Sequence, residues 1–425
     1  MANNKAAPSG GSILVVGGGI SGLTATLEAA EVGYEVFLVE KKPYLGGRVV
    51  QLKQYFPKLC PPTCGLEINF KRIKDNPKIN VLTMAEVEKV EGTPGNYHVT
   101  IKLKPRYVNE NCTGCGQCAS ACQTEIHNDF NFNMDKCKGA YLPHEMAFPS
   151  RYVISPQIIG TQDAQLCKDA CKYDAVDLDM KEKTIQINVG AIVWSTGWEP
   201  YDAAKIDNLG FGKHKNIITN MMLERLAANN GPTKGKILRP SDNKAPESIA
   251  FVQCAGSRDE NHLPYCSYIC CMASLKHTTY LRAQYPDAKI YIFYIDLRAP
   301  GYRYEKFYEN IKKDVNTFFI KGKVAEVSEE SGSGNIVVVA ENAVTGEKIR
   351  QTVDMAVLAT GMQPTALASK LPADLKYNED GFIINDFEKG GMFAAGCANK
   401  PADVVSSNQN ATGMALKAIQ TLVRR

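Results

Sequence analysis

The sequence predicts an α/β protein built from two parallel strand–helix–strand units, with a small cysteine-rich domain inserted into the first. Three observations lead to this fold class. A glycine-rich turn joins the first apolar strand to a helix, a second apolar strand enters a turn after Ser248–Gln253, and fourteen cysteines fall largely into clusters. With 425 residues, 44% of them apolar, the chain can form several domains with large cores.

Composition excludes some classes of protein. The formal net charge of +4 is mild and no basic run has interleaved aromatics, so a nucleic-acid partner is not indicated. Met1–Gly11 is polar and lacks the apolar core of a secretory signal, and no stretch of about 18 apolar residues would span a bilayer. We therefore expect a cytoplasmic protein. Disulfides are rare in a reducing cytoplasm, so clustered cysteines indicate metal or redox sites.

The first unit has the order expected of a dinucleotide site. The strand Ser12–Val16 is followed by Gly17, Gly19 and Gly22 at the spacing G-x-G-x-x-G, then by a helical segment and a second strand that ends at Glu40. The first glycine permits a tight turn, the second lets backbone N–H groups approach a pyrophosphate, and the third allows close helix–strand packing. The acid can accept ribose hydroxyls and would repel a 2′-phosphate.

A second glycine pair favours FAD over NAD in this unit. Gly46 and Gly47 precede Arg48, a pattern typical of flavoproteins with two dinucleotide-binding domains. Two later strands each end in a Thr-Gly turn, and a third strand, also typical of such flavoproteins, follows them. Cys397 replaces the Asp that usually comes after the glycine at the end of this third strand. The helix expected over Asp403–Leu422 would direct its positive dipole end at the flavin. The predicted FAD contacts are Gly17, Gly19, Gly22, Glu40, Gly47, Arg48, Thr196, Gly197, Gly361 and Gly396.

A proline-rich loop over Tyr55–Gly65 contains two further cysteines. Cys60 and Cys64 are four residues apart. They could form the edge of a cluster, a redox pair or a partner contact, or they could simply line the flavin cleft. The sequence leaves these alternatives open.

The inserted domain has ferredoxin spacing. A run of four cysteines reads C-x2-C-x2-C-x3-C, and a later pair, Cys167 and Cys171, repeats the x3 gap. Three thiolates on one tight loop can wrap a cuboidal cluster, while the fourth cysteine of each half ligates the cluster of the other half. This cross-ligation predicts one complete [4Fe–4S] site, with the ligands Cys112, Cys115, Cys118 and Cys171.

The second ferredoxin site is reduced. Thr161 and Ala164 stand where the first half has its first two cysteines. Only Cys122 and Cys167 remain, with Cys137 as a candidate third ligand. We expect this site to be absent, or incomplete and limited to three irons.

The second strand–turn–helix unit carries cysteines in place of glycines. Related reductases have another G-x-G-x-x-G after the strand, whereas here only Gly256 remains, so NAD(P)H binding is not expected. The last two cysteines stand at an expected helix start, where the positive dipole end favours thiolates. A vicinal disulfide and a thiol–disulfide exchange site are alternatives. The interpretation we favour is a second [4Fe–4S] cluster on Cys254, Cys266, Cys270 and Cys271.

These segments predict five stretches of chain. An FAD-binding domain is formed by residues 1–108, 181–246 and 351–425. A ferredoxin-like insert occupies 109–180, and a region like an NAD domain, but carrying a cluster, occupies 247–350.

Three runs of residues carry a resemblance to a known family. Gln253–Asp259, Cys266–Met272 and Phe293–Arg298 resemble the A subunits of heterodisulfide reductases. Within that family, Tyr55–Ile68 and Ala140–Tyr152 are similar to the A subunits of quinone-interacting membrane-bound oxidoreductases of sulfate-reducing bacteria. The resemblance implies a thioredoxin-reductase-like FAD protein whose cluster lies close to the flavin.

The same resemblance implies partners. They are a second flavin and iron–sulfur subunit, a membrane haem b subunit, and adenylylsulfate (APS) reductase, which receives electrons from menaquinol through the complex. Such a protein is peripheral on the inner face of the cytoplasmic membrane, held there by its partners.

No catalytic side-chain set stands out. The sequence shows no paired carboxylates and no Ser-His-Asp arrangement among its six histidines, so the chemistry is assigned to the cofactors. The expected function is an electron-transfer subunit that does not turn over alone. The alternatives are a subunit serving disulfide or sulfane chemistry, a stand-alone NAD(P)H:disulfide or polysulfide reductase using Cys270 and Cys271, and an assembly scaffold with vestigial cofactors.

Overall fold

The computed structural model describes residues 11–56, 58–301 and 303–423. The polar segment at residues 1–10, where we expect no secretory signal, lies outside the described residues. None of the helices within the described ranges is long and apolar enough to cross a membrane. Numbered along the chain, the helices are α1 (Ile20–Glu31), α2 (Thr63–Asp75), α3 (Gln117–Ala121), α4 (Gln162–Asp169), α5 (Asn220–Ala227), α6 (Cys270–Gln284), α7 (Tyr304–Lys312) and α8 (Val404–Val423).

The first unit is a five-stranded parallel sheet. Residues Ile13, Leu14 and Val15 of its central strand are fully buried, as expected when both faces of a parallel sheet are covered. Its strands are, in spatial order, β24 (Met392–Ala394), β11 (Ala191–Trp194), β1 (Ser12–Val16), β2 (Glu35–Glu40) and β3 (Ile79–Thr83). Val16 pairs with Val39, which brings the glycine turn after β1 beside the end of β2.

An antiparallel sheet beside this unit carries the insert. Its strands are β4 (Ala85–Thr93), β5 (Asn96–Leu103) and β10 (Lys183–Val189), in the spatial order β10-β5-β4. Leu103, the last residue of β5, pairs with Lys183, the first residue of β10. The insert therefore leaves and re-enters the sheet at neighbouring positions, so it can fold without disturbing either strand.

The insert itself contains α3, α4 and two short hairpins. The hairpins pair β6 (Glu125–His127) with β7 (Lys136–Lys138), and β8 (Ala140–Tyr141) with β9 (Val153–Ile154). Its small apolar core includes cysteines as well as aliphatic side chains such as Val108, Ile154 and Ile158.

The second unit is another five-stranded parallel sheet followed by an antiparallel one. The parallel strands are β13 (Ile217–Thr219), β20 (Met355–Thr360), β14 (Ser248–Ala255), β15 (Lys289–Tyr294) and β16 (Thr317–Lys321), in that spatial order, and the antiparallel strands are β17 (Val324–Glu329), β18 (Ile336–Glu341) and β19 (Lys348–Val353). The expected boundaries at 246/247 and 350/351 cut through this unit, because β13 and β20 pair within its sheet. Both strands come from segments that the sequence led us to assign to the FAD-binding domain.

Two small ribbons complete the fold. One pairs β12 (Trp198–Pro200) with β21 (Met362–Pro364), and the other pairs β22 (Lys376–Tyr377) with β23 (Ile383–Ile384). Because β12 follows the first sheet and β21 follows the second, the first ribbon joins the two units next to the site described below.

Candidate flavin and iron–sulfur site

The glycines after β1 form a cradle that larger residues would fill. A Cβ at Gly17, where φ is +107°, would lie 2.2 Å from the carbonyl oxygen of Ser195, and a Cβ at Gly47 would lie 2.7 Å from the Cα of Gly19. The backbone of the glycine turn therefore approaches two other loops closely. Such an approach requires residues without side chains.

Glu40 anchors the same turn from the end of β2. Its Oε2 accepts a hydrogen bond from the N–H of Gly18 at 2.6 Å, and its Oε1 accepts one from the N–H of Lys42 at 2.7 Å. Burial raises the pKa of this carboxyl, while the two backbone donors oppose the rise. The carboxylate is thus held at the edge of the cleft, where it can accept ribose hydroxyls.

The cleft fits a polar ligand. It is an open cavity lined by most of the predicted FAD contacts, namely Gly17, Gly19, Glu40, Gly47, Arg48, Thr196 and Gly197. Three buried polar atoms on its wall, Trp194 Nε1, Ser195 Oγ and Thr196 Oγ1, have no hydrogen-bond partner among the described residues. Buried polar groups are normally paired, so these atoms indicate a bound group that supplies the partners. Cys397 and the first residues of α8 also line the cleft.

Three predicted contacts lie behind or away from this cleft. A Cβ at Gly22 would be 1.8 Å from the carbonyl oxygen of Gly17, so this glycine permits helix–strand packing as expected. Gly396 packs against Ser21 of α1. Gly361 differs from expectation, because it follows β20 of the second sheet, and a Cβ there would lie 2.2 Å from the Oγ of Ser257. It therefore lies against the second cysteine cluster.

The four cysteines predicted for the insert surround one small cavity. Cys112, Cys115, Cys118 and Cys171 line it together with Tyr152. Burial raises the pKa of the Cys118 thiol to about 11, and the other three thiols add to the rise. Four thiols facing one space form the donor set that a cuboidal cluster requires. The two glycines of the loop, at positions 114 and 116, both have positive φ, which lets the backbone wrap this space.

The remaining cysteines of the insert do not line this cavity. The thiol of Cys167 donates to the carbonyl oxygen of Cys118 at 3.3 Å, and the thiol of Cys122 faces the carbonyl oxygen of Thr124 at 3.6 Å. Ala164 lies with them in the apolar core. Cys137 lies on β7 opposite Ile126 in another part of the insert. Cys122 and Cys167, the two thiols that the sequence leaves to the reduced second site, therefore lie together in the core of the insert.

The second cluster of cysteines is gathered at the start of α6. Cys270 and Cys271 are the first two residues of that helix, and both are buried. Burial raises the pKa of the Cys270 thiol well above its usual value. The neighbouring thiols of Cys254, Cys271 and Cys266 raise it further. Four mutually close thiols are again the donor set of a cuboidal cluster. Cys270 also faces the carbonyl oxygen of Thr360 at 3.7 Å.

The backbone around these thiols is strained. Cys254, Arg258 and Tyr268 all have positive φ, between 55° and 68°, although none is a glycine. Such conformations persist only where the surrounding structure imposes them, and they are frequent at functional sites. Across the described part of the chain, no three His, Cys, Asp or Glu side chains converge as they would around a single metal ion. A cuboidal cluster lies between its thiolates and keeps their sulfur atoms farther apart than a single ion does.

An apolar cavity adjoins the flavin cleft and reaches the start of α6. Arg48 and Val49 line it on the flavin side, and Tyr268, Ile269 and Met272 line it on the side of α6. Cys270 and Cys271 lie between the last two of these residues in the sequence. The structure therefore brings together the two regions that the sequence predicted separately.

The wall of this cavity includes a buried ionic group that the sequence did not reveal. Glu224 of α5 contacts Lys276 at 2.7 Å and the Nε2 of His277 at 2.6 Å, and all three residues are at most 4% exposed. Burial opposes ionisation of Glu224, yet Lys276 and His277 lower its pKa to about 2. Burial lowers the pKa of His277, so the ammonium of Lys276 is the cation of the group. Lys276 and His277 are adjacent in a helix with no motif, so only their contact with α5 identifies them.

Cys60 and Cys64 flank the beginning of α2, next to Tyr55, which lines the apolar cavity. Cys64 is exposed and Cys60 is half-buried.

Comparisons with known proteins agree with this description. The family profile described as FAD dependent oxidoreductase matches residues 12–60, and the profile described as 4Fe-4S binding domain matches residues 105–126. The fold is similar to thioredoxin reductase of Lactococcus lactis, with a TM-score of 0.53 at 14% identity, covering 97% of this chain and 99% of that one. It is also similar to the bacillithiol disulfide reductase of Bacillus cereus, with a TM-score of 0.51 at 13% identity, covering 97% and 99% of the two chains.

Curated relatives extend over nearly the whole chain. An iron–sulfur A subunit of CoB–CoM heterodisulfide reductase from Methanopyrus kandleri is 38% identical over 421 residues, covering 96% of this chain and 64% of the relative. The corresponding protein of Methanocaldococcus jannaschii is 37% identical over 419 residues, covering 95% and 63%. The A subunit of the ferredoxin/F420H2-dependent enzyme of Methanosarcina acetivorans is 36% identical over 434 residues, covering 99% and 54%. The chain thus spans a little over half to just under two thirds of these relatives.

The expected fold is confirmed as thioredoxin-reductase-like with a ferredoxin-type motif, and FAD and an iron–sulfur cluster are confirmed as the cofactor types. Over its own length, the chain is homologous to the A subunits of heterodisulfide reductase.

Proposed function

We propose that this chain is an electron-transfer subunit that joins FAD, in the cleft of the first unit, to a [4Fe–4S] cluster on Cys254, Cys266, Cys270 and Cys271. FAD supplies two-electron chemistry and the clusters supply one-electron transfer, while the protein sets position and potential. One observation supports this most strongly. Residues of the flavin cleft and the residues that flank Cys270 and Cys271 in the sequence line the same cavity. A second [4Fe–4S] cluster on the insert cysteines provides an exit toward the surface.

The side chains of the cavity have defined roles in this proposal. Lys276 holds a positive charge at the cavity wall, where it favours negative charge on a neighbouring group. Glu224 keeps that ammonium in place, and neutral His277 orients the carboxylate. Trp198 and Met272, which both line the cavity, exclude water from the space between the two cofactor sites. Excluding water strengthens every electrostatic interaction inside the cavity.

We propose a physiological role that is more specific than the similarity to heterodisulfide reductase subunits. The segments Tyr55–Ile68 and Ala140–Tyr152 resemble the A subunits of quinone-interacting membrane-bound oxidoreductases, which favours electron flow between menaquinol and APS reductase in sulfate reduction. The proposed partners are a second flavin and iron–sulfur subunit together with a membrane haem b subunit, which would hold this chain on the inner face of the cytoplasmic membrane. Affinity purification from a membrane extract, followed by a quinol-dependent assay of APS reduction, tests this role.

A second candidate function follows from the names of the relatives. They are called CoB–CoM heterodisulfide reductase subunits, so a role in passing electrons to or from disulfide or sulfane sulfur is the alternative. Activity of the purified complex with a heterodisulfide, and none with APS reductase, would favour it. A stand-alone NAD(P)H:disulfide reductase is a third possibility, and rapid bleaching of the flavin by NADH in the isolated chain would support it.

The electron-transfer proposal is tested by cofactor analysis. The chain is purified anaerobically, and its iron, acid-labile sulfide and flavin are measured in the wild type and in Cys270→Ser. We expect the variant to lose the iron of one cluster and to keep its flavin. A variant with wild-type iron content would contradict the ligand set.

A further inference from the structure

Gln253 immediately precedes the first cysteine of the second cluster, and its buried side chain is unpaired. The residue is 6% exposed, and neither its Nε2 nor its Oε1 has a hydrogen-bond partner among the described residues. A buried amide without partners has lost its hydrogen bonds to water and gained none in return, so such groups are rare in folded proteins. This amide therefore indicates that another group supplies its partner.

The direction of the side chain follows from the strand that carries it. Phe251, two residues earlier on β14, belongs to the core beneath α6, and its ring stacks on His277 with centroids 6.1 Å apart. Side chains alternate along a strand. The pairing of β14 with β20 is regular through Val252 and shifts only between Val252 and Ala255, so Gln253, the residue after Val252, faces α6 as well. The chain leaves the end of β14 and returns along α6, so a residue nearer the strand end lies nearer the helix start. That start is Cys270.

A second unpaired group lies on the same helix. Ser274 is fully buried, and its Oγ has no partner among the described residues. It follows Cys270 by four residues, so the two side chains are neighbours on one face of α6. Two buried polar groups, one from the strand and one from the helix, thus lie near the same cysteine without bonding to any described part of the protein.

We propose that the side-chain amide of Gln253 donates a hydrogen bond to a sulfur of the cluster held by Cys254, Cys266, Cys270 and Cys271, and thereby raises its reduction potential. The inference rests on the proposed function, because it presupposes that cluster. Hydrogen bonds to cluster sulfurs are one of the factors that set the potential, and they favour the more negatively charged reduced state. In this scheme Gln253 contacts the cluster directly and changes its potential without being one of its ligands.

The first test uses redox titration of the anaerobically purified chain. Gln253→Met keeps the length of the side chain but removes its donor, and Gln253→Glu replaces the donor with a carboxylate. We expect unchanged iron content and a midpoint potential that shifts to more negative values, further for Glu than for Met. The insert cluster serves as an internal control that does not shift. Gln351→Met, at a partly exposed glutamine whose amide already bonds to the carbonyl oxygen of Thr352, is the matched control.

A second measurement uses the wild-type chain, so it does not depend on the folding of a variant. The protein is labelled with a nitrogen isotope at its glutamine side-chain amides, and pulsed EPR is recorded on the reduced clusters. Coupling of the label to the cluster is expected. Its absence would overturn the inference, as would unshifted potentials in both variants. If the wild type contains the iron of the insert cluster alone, the proposed function fails instead.

Discussion

The Nζ of Lys276 lies 2.7 Å from Oε1 of Glu224, and both side chains are almost fully buried beside the flavin cleft. The carboxylate also accepts a hydrogen bond from the N–H of Lys53 at 2.8 Å, and Lys276 donates to the carbonyl oxygen of Gln54 at 2.6 Å. This ion pair therefore joins α5 and α6 to the loop that follows the flavin-side glycines. It places a fixed pair of opposite charges, neutral overall, beside the site where two of the cofactors are proposed to meet.

Removing the cation of this pair is expected to destabilise the protein strongly. Lys276→Met leaves Glu224 buried without its cation, which costs about 3–5 kcal/mol of unfolding free energy. Urea denaturation measures the loss. Lys323→Met is the control, because its partner Asp259 is also 2.7 Å away but the lysine is exposed, so the pair is worth less than about 1 kcal/mol. Equal losses in the two variants would contradict the burial argument, and adding Glu224→Gln to Lys276→Met should recover part of the loss.

A methyl group in the glycine turn is expected to reduce flavin binding. Gly22→Ala places a Cβ against the carbonyl oxygen of Gly17, so the turn must move and the cradle opens. Overpacking of this kind typically costs about 1–3 kcal/mol, which corresponds to roughly 5-fold to 140-fold in affinity if it falls entirely on the flavin-bound state. The flavin content of the purified protein, and the dissociation constant for added FAD, measure it. Gly413→Ala is the control, because a Cβ there has nothing within 4 Å in the interior of α8; lower flavin content in that variant would argue against a specific effect.

The insert cysteines are expected to divide into ligands and packed thiols. Cys171→Ser removes one of the four thiols around the insert cavity, so the iron of one cluster should be lost. Cys122→Ser changes a thiol that packs in the apolar core and should leave the iron content unchanged. Iron and sulfide analysis, with EPR of the reduced protein, separates the two variants. Loss of iron from both would show that the assignment of ligands is wrong.

Stability is expected to depend on the protonation of one histidine. Burial, followed by the charge of Arg225, lowers the pKa of His144 to about 4, whereas its usual value is 6.5. The folded state therefore binds fewer protons than the unfolded state between these values. The contribution of His144 is constant above pH 6.5, and it falls by up to about 1.4 kcal/mol per pH unit between that value and about pH 4.

The variant His144→Phe isolates this effect, because it keeps the ring that stacks on Phe130 but cannot be protonated. Urea denaturation of both proteins between pH 8 and pH 5.5 supplies the data. The stability of the variant relative to the wild type should rise as the pH falls through 6.5. A difference that does not change with pH would contradict the prediction.

Local spacing made much of the site predictable. The glycine triplet, the acid that follows it and the ferredoxin cysteines each lie within one turn, strand or loop, so their geometry depends on neighbours in the sequence. The four cysteines of the insert cavity include Cys171, far along the chain, which was found only because ferredoxin halves exchange their fourth ligand. For the same reason, Cys122 could be predicted to lie outside that cavity.

Other features depended on contacts that no local pattern records. Gly361 was expected at the flavin because it ends a strand-to-Thr-Gly turn like that at Gly197. The two turns belong to different sheets, and the pairing of Thr360 with Ala255 places Gly361 at the second cluster. Glu224 and Lys276 were missed because single charged residues in two helices carry no signal until those helices pack together.

The sequence by itself determined the chemistry of this protein: which residues could cradle a dinucleotide, which thiols could surround clusters, and that the second unit has lost the glycines a nicotinamide would need. Those properties follow from residue types at short spacing, where the backbone leaves few geometries. Only the tertiary structure decided which strands share a sheet, how the two units face one another, and which buried charges lie between them. Those arrangements result from the burial of apolar surface over the whole chain, so they depend on residues that are far apart in sequence.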